Sequence, residues 1–259
     1  MKMKTLGSSG IQVTDLCLGV LPMGPVQRNI PKEQCTTIIR EAVERGITFL
    51  DTAEMYKTHD YIEEALRGYQ GEVVIATKSA STSYEAMAKS VENARRELNR
   101  DVIEIFHLHA ARANHKVFEE RAGAIECLLD LKAKGVIKAV GISTHAVDVC
   151  RLAASKSEFD IVFPIINKLG MGIIEGNLPE MLEAIDACHK AGKGLYAMKA
   201  LAGGHLIGDL VDAIAYVRNM EAFASVVIGM VNLKELELNL KIFNDEVIKP
   251  EELPSPEVN

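Results

Sequence analysis

Four kinds of titratable side chain stand at the ends of apolar runs, where a chain would turn from strand into loop. One run ends in Phe49-Leu50-Asp51-Thr52-Ala53-Glu54-Met55-Tyr56 and the next in Ala76-Thr77-Lys78-Ser79. Two more end in Phe106-His107-Leu108-His109 and in Gly141-Ile142-Ser143-Thr144-His145. If those ends meet, an acid, a tyrosine, a lysine and a histidine converge. A phenol titrates near ~10 and is a poor acid at neutral pH. A neighbouring ammonium stabilises the phenolate and is expected to lower that value. Asp51 would hold Lys78 charged and fixed, because a charge in a barrel mouth is costly without a partner. A histidine would add a second hydrogen bond at the reacting oxygen. Such a set donates a proton to a carbonyl oxygen as a hydride reaches its carbon. His107 and His109 share a strand face, with His107 one layer deeper. His109 is therefore the catalytic candidate and His107 its structural neighbour. Singly, each residue also has an ordinary role: Asp51 as a helix cap, Tyr56 as loop packing, Lys78 snorkelling from a rim, His107 as a satisfied core imidazole.

The elements that must position these groups follow from the apolar pattern. Eight short apolar runs, over 16–20, 47–50, 73–76, 103–108, 139–142, 161–165, 195–198 and 226–228, alternate with amphipathic segments such as 32–45 and 84–98. Near-continuous apolar strands imply a sheet buried on both faces, hence parallel strands under helices. Gly46 and Gly135 stand where helices should end. No linker or composition shift divides the chain, so eight unbroken β–α units predict one domain over 1–259, a closed (β/α)8 barrel. A doubly wound sheet would carry a glycine-rich phosphate turn after its first strand. Leu18-Gly19-Val20-Leu21-Pro22-Met23-Gly24 is not one. Residues 1–15 read as a β-hairpin closing the barrel bottom, and the proline-bearing tail, 246–259, as an extended end.

Composition bounds the rest. The 259 residues are 48% hydrophobic and 25% charged, with a formal net charge of -7. A large buried core is expected, and disordered or collagen-like classes are excluded. The acidic balance argues against nucleic acid or anionic lipid as a partner. The basic start is not followed by an apolar run, so no signal peptide is expected, and no segment reads as a membrane span. Cys17, Cys35, Cys127, Cys150 and Cys188 are scattered singly, which predicts reduced core thiols in a cytoplasmic protein. Aromatic residues make up only 5% and tryptophan is absent, so any small-molecule pocket must rely on other side chains.

The motifs carry a resemblance. Leu6-Gly7-x-Ser9-Gly10-x-x-Val13-x-x-Leu16-x-Leu18-Gly19 resembles the opening of the aldo/keto reductase family, and Gly46-Ile47-Thr48-Phe49-Leu50-Asp51-Thr52-Ala53-Glu54-Met55-Tyr56 its second-strand signature. Ile103-Glu104-Ile105-Phe106-His107-Leu108-His109 and Val140-Gly141-Ile142-Ser143-Thr144-His145 resemble its fourth and fifth strands. The resemblance implies an NAD(P)H-dependent carbonyl reductase with an Asp51, Tyr56, Lys78 and His109 tetrad, Tyr56 being the proton donor. It also implies coenzyme contacts from Gly19, Met23, Asp51, Ser143, Thr144, Asn167, Met198, Lys199, Leu201, Gly203, Gly229, Asn232 and Asn239.

Some positions depart from the family pattern. Phe163 stands where the family places a glutamine, and Ile166-Asn167 where it places Tyr-Asn. Met198 replaces the tyrosine that lies under the nicotinamide ring. Asn232 is expected to cap a helix whose free N–H groups face a phosphate. Gly229, Met230 and Glu235 replace the Lys, Ser and Arg found in many NADP-preferring relatives. The family pattern implies NADP(H), which remains the first expectation; the carboxylate of Glu235, which would repel a 2′-phosphate and is offset locally only by Lys234, weakens it and makes NAD(H) the alternative.

A short polar loop, 110–116, and a short tail predict an open pocket lined by Met23, Met55, Met171 and Met198, suited to a small aldehyde or ketone. Two alternatives stand beside this reading. One is a metal-dependent hydrolase using His107 and His109, completed by Asp51, Lys78 and His145. The other is a nicotinamide-binding regulatory barrel with little turnover.

Overall fold

The computed structural model describes residues 1–254. A two-stranded antiparallel ribbon, β1 (Met3–Thr5) and β2 (Gln12–Thr14), precedes the barrel. Eight parallel strands then close into a ring, each followed by helical structure. In chain order they are β3 (Leu16–Gly19), α1 (Lys32–Glu44), β4 (Phe49–Asp51), α2 (His59–Leu66), β5 (Val74–Ser79), α3 (Tyr84–Leu98) and β6 (Ile103–Ala110). There follow α4 (Val117–Glu120), α5 (Ala122–Ala133), β7 (Ile137–Thr144), α6 (Val147–Ala153), β8 (Ile161–Pro164), α7 (Leu178–Lys190), β9 (Gly194–Ala197), α8 (Leu210–Arg218), β10 (Ser225–Gly229) and α9 (Leu233–Phe243). β10 pairs with β3, so no edge is left open.

The apolar residues divide into two cores because strand side chains alternate in direction. Leu16, Leu18, Leu50, Ile75, Phe106, Val140 and Val162 face outward and are covered by the helices. Cys17, Phe49, Ala76, Ile105, Ala139, Ile161, Phe163 and Tyr196 face inward and fill the barrel. Leu6 and Val13 of the ribbon join that inner cluster, and the Ser8 amide donates to the Gly192 carbonyl at 2.9 Å. The ribbon therefore plugs the end of the barrel from which the strands start.

Local chemistry sets the helix ends. The Ser83 side chain accepts from the Ala86 amide to start α3, and the Asn177 side chain accepts from the Glu180 amide to start α7. Gly46 and Gly135 follow α1 and α5 with φ of 91° and 73°. That left-handed backbone costs a residue with a Cβ about 1–2 kcal/mol. The five cysteines are buried and unbridged. No helix among the described residues is long and apolar enough to cross a membrane.

Several strands run further than their apolar runs: β5 through Thr77, Lys78 and Ser79, β6 through His109 and Ala110, β7 through Ser143 and Thr144. Of the polar residues that continue the ladder there, Lys78, His109 and Ser143 point into the barrel mouth, while Thr77 and Ser79 point outward, to His59 of α2 and Ser90 of α3. One expectation, that of the tail, is corrected: it is not simply extended. Pro250–Glu252 forms a turn of 3-10 helix, with the Lys249 amide donating to Glu252 Oε2 and an ion pair from Lys241 of α9 to Glu252. Proline at the first helical position loses no hydrogen bond, so it starts this turn. Residues 255–259 lie outside the described part of the chain.

Candidate active site

The inward alternation that packs the barrel also aims its mouth. Asp51 stands one pleat above Phe49, Lys78 above Ala76, His107 and His109 above Ile105, and Ser143 above Gly141 and Ala139. Ladder register fixes their heights: Asp51 pairs with Ala76, Lys78 with His107, and His109 with Ser143.

Lys78 is only 1% exposed, yet its ammonium is satisfied. Nζ donates to both Asp51 carboxylate oxygens at 2.7 and 2.8 Å and to the Thr52 carbonyl at 2.7 Å. Three acceptors match three ammonium protons. Burial would drive off the proton, but Asp51 and Tyr56 outweigh it and hold the Lys78 pKa above its ordinary value. Burial pushes Asp51 up, while Lys78 and the Tyr196 hydroxyl pull it back. The pair stays ionised because each charge is the other's only neutralising partner there.

Tyr56 follows β4 on a 3-10 turn, Glu54–Tyr56, closed by its amide donating to the Ala53 carbonyl at 2.9 Å. The Glu54 carboxylate accepts from Ser79 Oγ at 2.6 Å and Ser90 Oγ at 3.0 Å, which ties the turn to β5 and α3. The Lys78 ammonium lies 5.2 Å from the Tyr56 ring centroid, within cation–π range. The His109 ring stands edge-on to Tyr56 with centroids 6.2 Å apart. One expectation is overturned. The Tyr56 pKa is raised, because burial of a phenolate outweighs the Lys78 charge. The side chain is a phenol at neutral pH, the form a proton donor requires. Burial, with help from Lys78, His145 and Arg121, depresses His109 to about 3, so its imidazole is neutral.

Beneath the tetrad lies a residue that motif reading missed. Tyr196 Oη donates to Asp51 Oδ2 at 3.1 Å and sits 2.6 Å from His107 Nε2. A carboxylate only accepts, so the phenol proton points to Asp51 and His107 must carry its hydrogen on Nε2. That leaves His107 Nδ1 a bare acceptor, and it is one of four buried side-chain polar atoms without a partner among the described residues. A Cβ added at Gly141 would fall 2.1 Å from that nitrogen, so glycine makes room for the ring. Tyr196 also stacks on Phe163 with centroids 3.9 Å apart at 10°. Its signal in the sequence is parity: Tyr196 shares the inward face of β9 with Met198, one layer down.

The expected coenzyme residues divide. Ser143 Oγ and Asn239 Oδ1 are buried without partners, as groups awaiting a polar ligand are. Asn232 caps α9 by accepting from the Glu235 amide at 2.9 Å. Met198 is half-buried, while Lys199, Gly203 and Gly229 are exposed. Lys199 holds a left-handed φ of 60°, a strain that clusters at functional sites. Leu201 packs in a small cluster with Ala202, Leu206 and Ala213. Thr144 spends its hydroxyl on the Ala146 amide at 2.9 Å. Gly19 serves packing, since a Cβ there would fall 2.7 Å from Val227.

Met23 and Asn167 are both fully buried. Met23 is sealed in the outer core. Asn167 is buried, with Nδ2 donating to the Met171 carbonyl and Oδ1 accepting from the Leu169 and Met171 amides. It closes its own loop and leaves no exposed atom for a ligand. Met55 and Met171 are exposed as expected.

Glu235 is turned back onto the start of α9. Its carboxylate accepts from the Val231 amide at 2.8 Å and from Asn232 Nδ2 at 2.9 Å. An amide that an incoming anion would seek is already held by a carboxylate. As for a metal, no group of three or more His, Cys, Asp or Glu side chains among the described residues is placed to hold one. His107 is committed to Tyr196, a layer below His109.

Gly24 supports Tyr56 from outside. A Cβ there would fall 2.7 Å from the Tyr56 carbonyl oxygen and 2.6 Å from Thr58 Cγ2. Gly24→Ala must therefore shift the turn that carries the phenol. Misplacement on this scale lowers kcat about tenfold to a hundredfold. Steady-state kinetics on a variant with an unaltered circular dichroism spectrum checks it, and an unchanged kcat would show the turn to be unconstrained.

The chain matches the aldo/keto reductase family over residues 15–212 and belongs to it. It is 22% identical to an uncharacterized oxidoreductase, YqkF, of Bacillus subtilis, over 98% of this chain and 94% of that one. It is also 22% identical to L-galactose dehydrogenase of Arabidopsis thaliana, over 93% and 87% of the two chains. Among solved structures, a putative aldo-keto reductase from Pseudomonas aeruginosa superposes with a TM-score of 0.81 at 24% identity, over 94% of this chain and 95% of that one. The holo form of the aldo-keto reductase AKR11C1 from Bacillus halodurans gives 0.80 at 21%, over 97% and 94%. These two share the fold.

Proposed function

We propose that the chain is an NAD(P)H-dependent oxidoreductase that reduces small aldehydes or ketones to alcohols, with Tyr56 as the proton donor. The observation that carries this reading is the satisfied Lys78–Asp51 pair directly beside a protonated, buried phenol. A nicotinamide coenzyme would supply the hydride. Its fit rests on Ser143 Oγ and Asn239 Oδ1, buried polar atoms with no partner among the described residues. The chain's own work is the proton. Tyr56 Oη gives its hydrogen to the carbonyl oxygen as that oxygen gains charge, and the resulting phenolate is held by the Lys78 ammonium. Neutral His109 offers an N–H to the same oxygen and adds no charge of its own. Asp51 keeps Lys78 charged, and Tyr196 keeps Asp51 in place. Loss of coenzyme absorbance on mixing the protein, coenzyme and a panel of short aldehydes tests the reaction. Coenzyme binding with no turnover across the panel would favour the regulatory barrel.

The Glu235 geometry bears on the coenzyme. A 2′-phosphate at the start of α9 would face a carboxylate held in place by two donors, and like charges at such distance repel. NADH is expected to bind at least as tightly as NADPH. Glu235→Gln keeps one oxygen to accept from the Val231 amide, gives up the bond from Asn232 Nδ2 and removes the charge, so it should shift the ratio of dissociation constants about tenfold toward NADPH, roughly 1.4 kcal/mol. Titration followed by the coenzyme's own fluorescence checks this, and an unmoved ratio would place the 2′-phosphate elsewhere.

A further inference from the structure

The rim of the mouth is basic although the chain carries a net charge of -7. A pocket opens beside the tetrad, lined by Met55, Ala80, His109, Arg112, Glu120 and Arg121. Arg121 Nη1 donates to the His109 carbonyl at 2.9 Å, which fixes one guanidinium at the wall. The His145 amide donates to the Ala111 carbonyl at 3.1 Å, which brings the loop bearing Arg112 against the end of β7. Lys199, at the end of β9, is close enough to act with Arg112 on His145, and burial with those two charges depresses that imidazole to about 4. Arg112 likewise holds Lys199 below its ordinary value, after burial. None of Arg112, Arg121 and Lys199 has a carboxylate within salt-bridge distance among the described residues, whereas most other arginines do. Nearby acids are otherwise engaged or offset little. Asp148 accepts from the His115 amide and ring at 2.8 and 2.9 Å. Glu120, exposed at the rim, flanks Arg121 alone.

Arg112 and Arg121 thus line one opening without a salt-bridging carboxylate among the described residues, and like charges around one opening favour an incoming anion. We propose that this rim is an anion subsite and that the preferred substrate is a small carbonyl compound bearing a carboxylate, received by Arg112 and Arg121. The proposal rests on the carbonyl-reduction reading for the reacting end of that molecule. Arginine suits the role because its planar fork meets both oxygens of a carboxylate. The two arginines share a wall with His109, so an anion they receive lies in the same opening as the reacting carbonyl. Lys199, on the opposite strand end, could instead serve the coenzyme's phosphates, and the test separates these sources.

Succinic semialdehyde and butyraldehyde have equal chain lengths and differ in the carboxylate. The ratio of their kcat/KM values should be about tenfold or more in favour of succinic semialdehyde. It should collapse toward one in Arg112→Met and shrink with added salt. A ratio near one in the unaltered protein overturns the proposal. So does an Arg112→Met variant that keeps the ratio and loses coenzyme affinity, which would give the cation to the coenzyme's phosphates. If neither aldehyde turns over with either coenzyme, the reduction reading fails on its own. Calorimetry of succinate against succinamide then decides the subsite. Binding of succinate alone, lost in Arg112→Met, upholds it, and no binding of succinate overturns it.

Discussion

Replacing Tyr56 by phenylalanine is expected to lower kcat for carbonyl reduction by about 10²- to 10⁴-fold, the usual worth of a positioned proton donor. Coenzyme affinity should stay unchanged. The ring that packs 5.2 Å from the Lys78 ammonium is retained. The pH profile gives a sharper readout. Burial raises the Tyr56 pKa above its ordinary value despite Lys78, so the donor is protonated throughout the neutral range. Reduction needs the protonated phenol, so its rate falls as pH rises through that pKa. Oxidation of the product alcohol needs the phenolate and rises over the same interval. Both limbs should vanish in the phenylalanine variant. If reduction survives at full rate with its alkaline limb intact, the donor is another group, and His109 would be examined next.

The barrel was legible because its cause is repetitive. Eight apolar runs separated by helical segments bury both faces of each strand, and the ring of ladders follows. The candidate tetrad was legible because Asp51, Lys78 and His109 stand at the C-terminal ends of β4, β5 and β6, where inward parity carries them into the mouth, and Tyr56 follows on the turn after β4. What the motifs did not show shares one physical origin. Met23 and Asn167 occupy positions that look available in a linear motif, but burial closes one and a local turn consumes the other. Conversely, Tyr196 matters through bonds to Asp51 and His107, which lie 145 and 89 residues away. No spacing rule reaches across the barrel. The direction of the Tyr56 shift was misjudged for a similar reason. The sequence shows the neighbouring charge but not the extent of burial, and burial is the larger effect.

Lys78→Met should be the most destabilising of the single changes at the site. It leaves the Asp51 carboxylate buried with no counter-ion, a situation that costs about 3–5 kcal/mol. In a chain of this length that corresponds to a fall in Tm on the order of 10 °C. Activity should be lost as well, since nothing then stabilises the Tyr56 phenolate. Two controls separate the electrostatic cause from mere loss of packing. Burial raises the Asp51 pKa and Lys78 opposes that rise, so removing Lys78 lifts it further above the unfolded value. Protonation then favours the folded state, and the deficit relative to the unaltered protein should shrink as pH falls through the folded pKa and grow as pH rises. Asp51→Asn added to Lys78→Met removes the orphaned charge and keeps an oxygen for the Tyr196 hydroxyl to donate to. The double variant should therefore be more stable than Lys78→Met alone while remaining inactive. Denaturant titrations of the three proteins across pH provide the measurement. A double variant no more stable than the single, with no pH dependence in the difference, would mean that Lys78 stabilises the mouth by filling space.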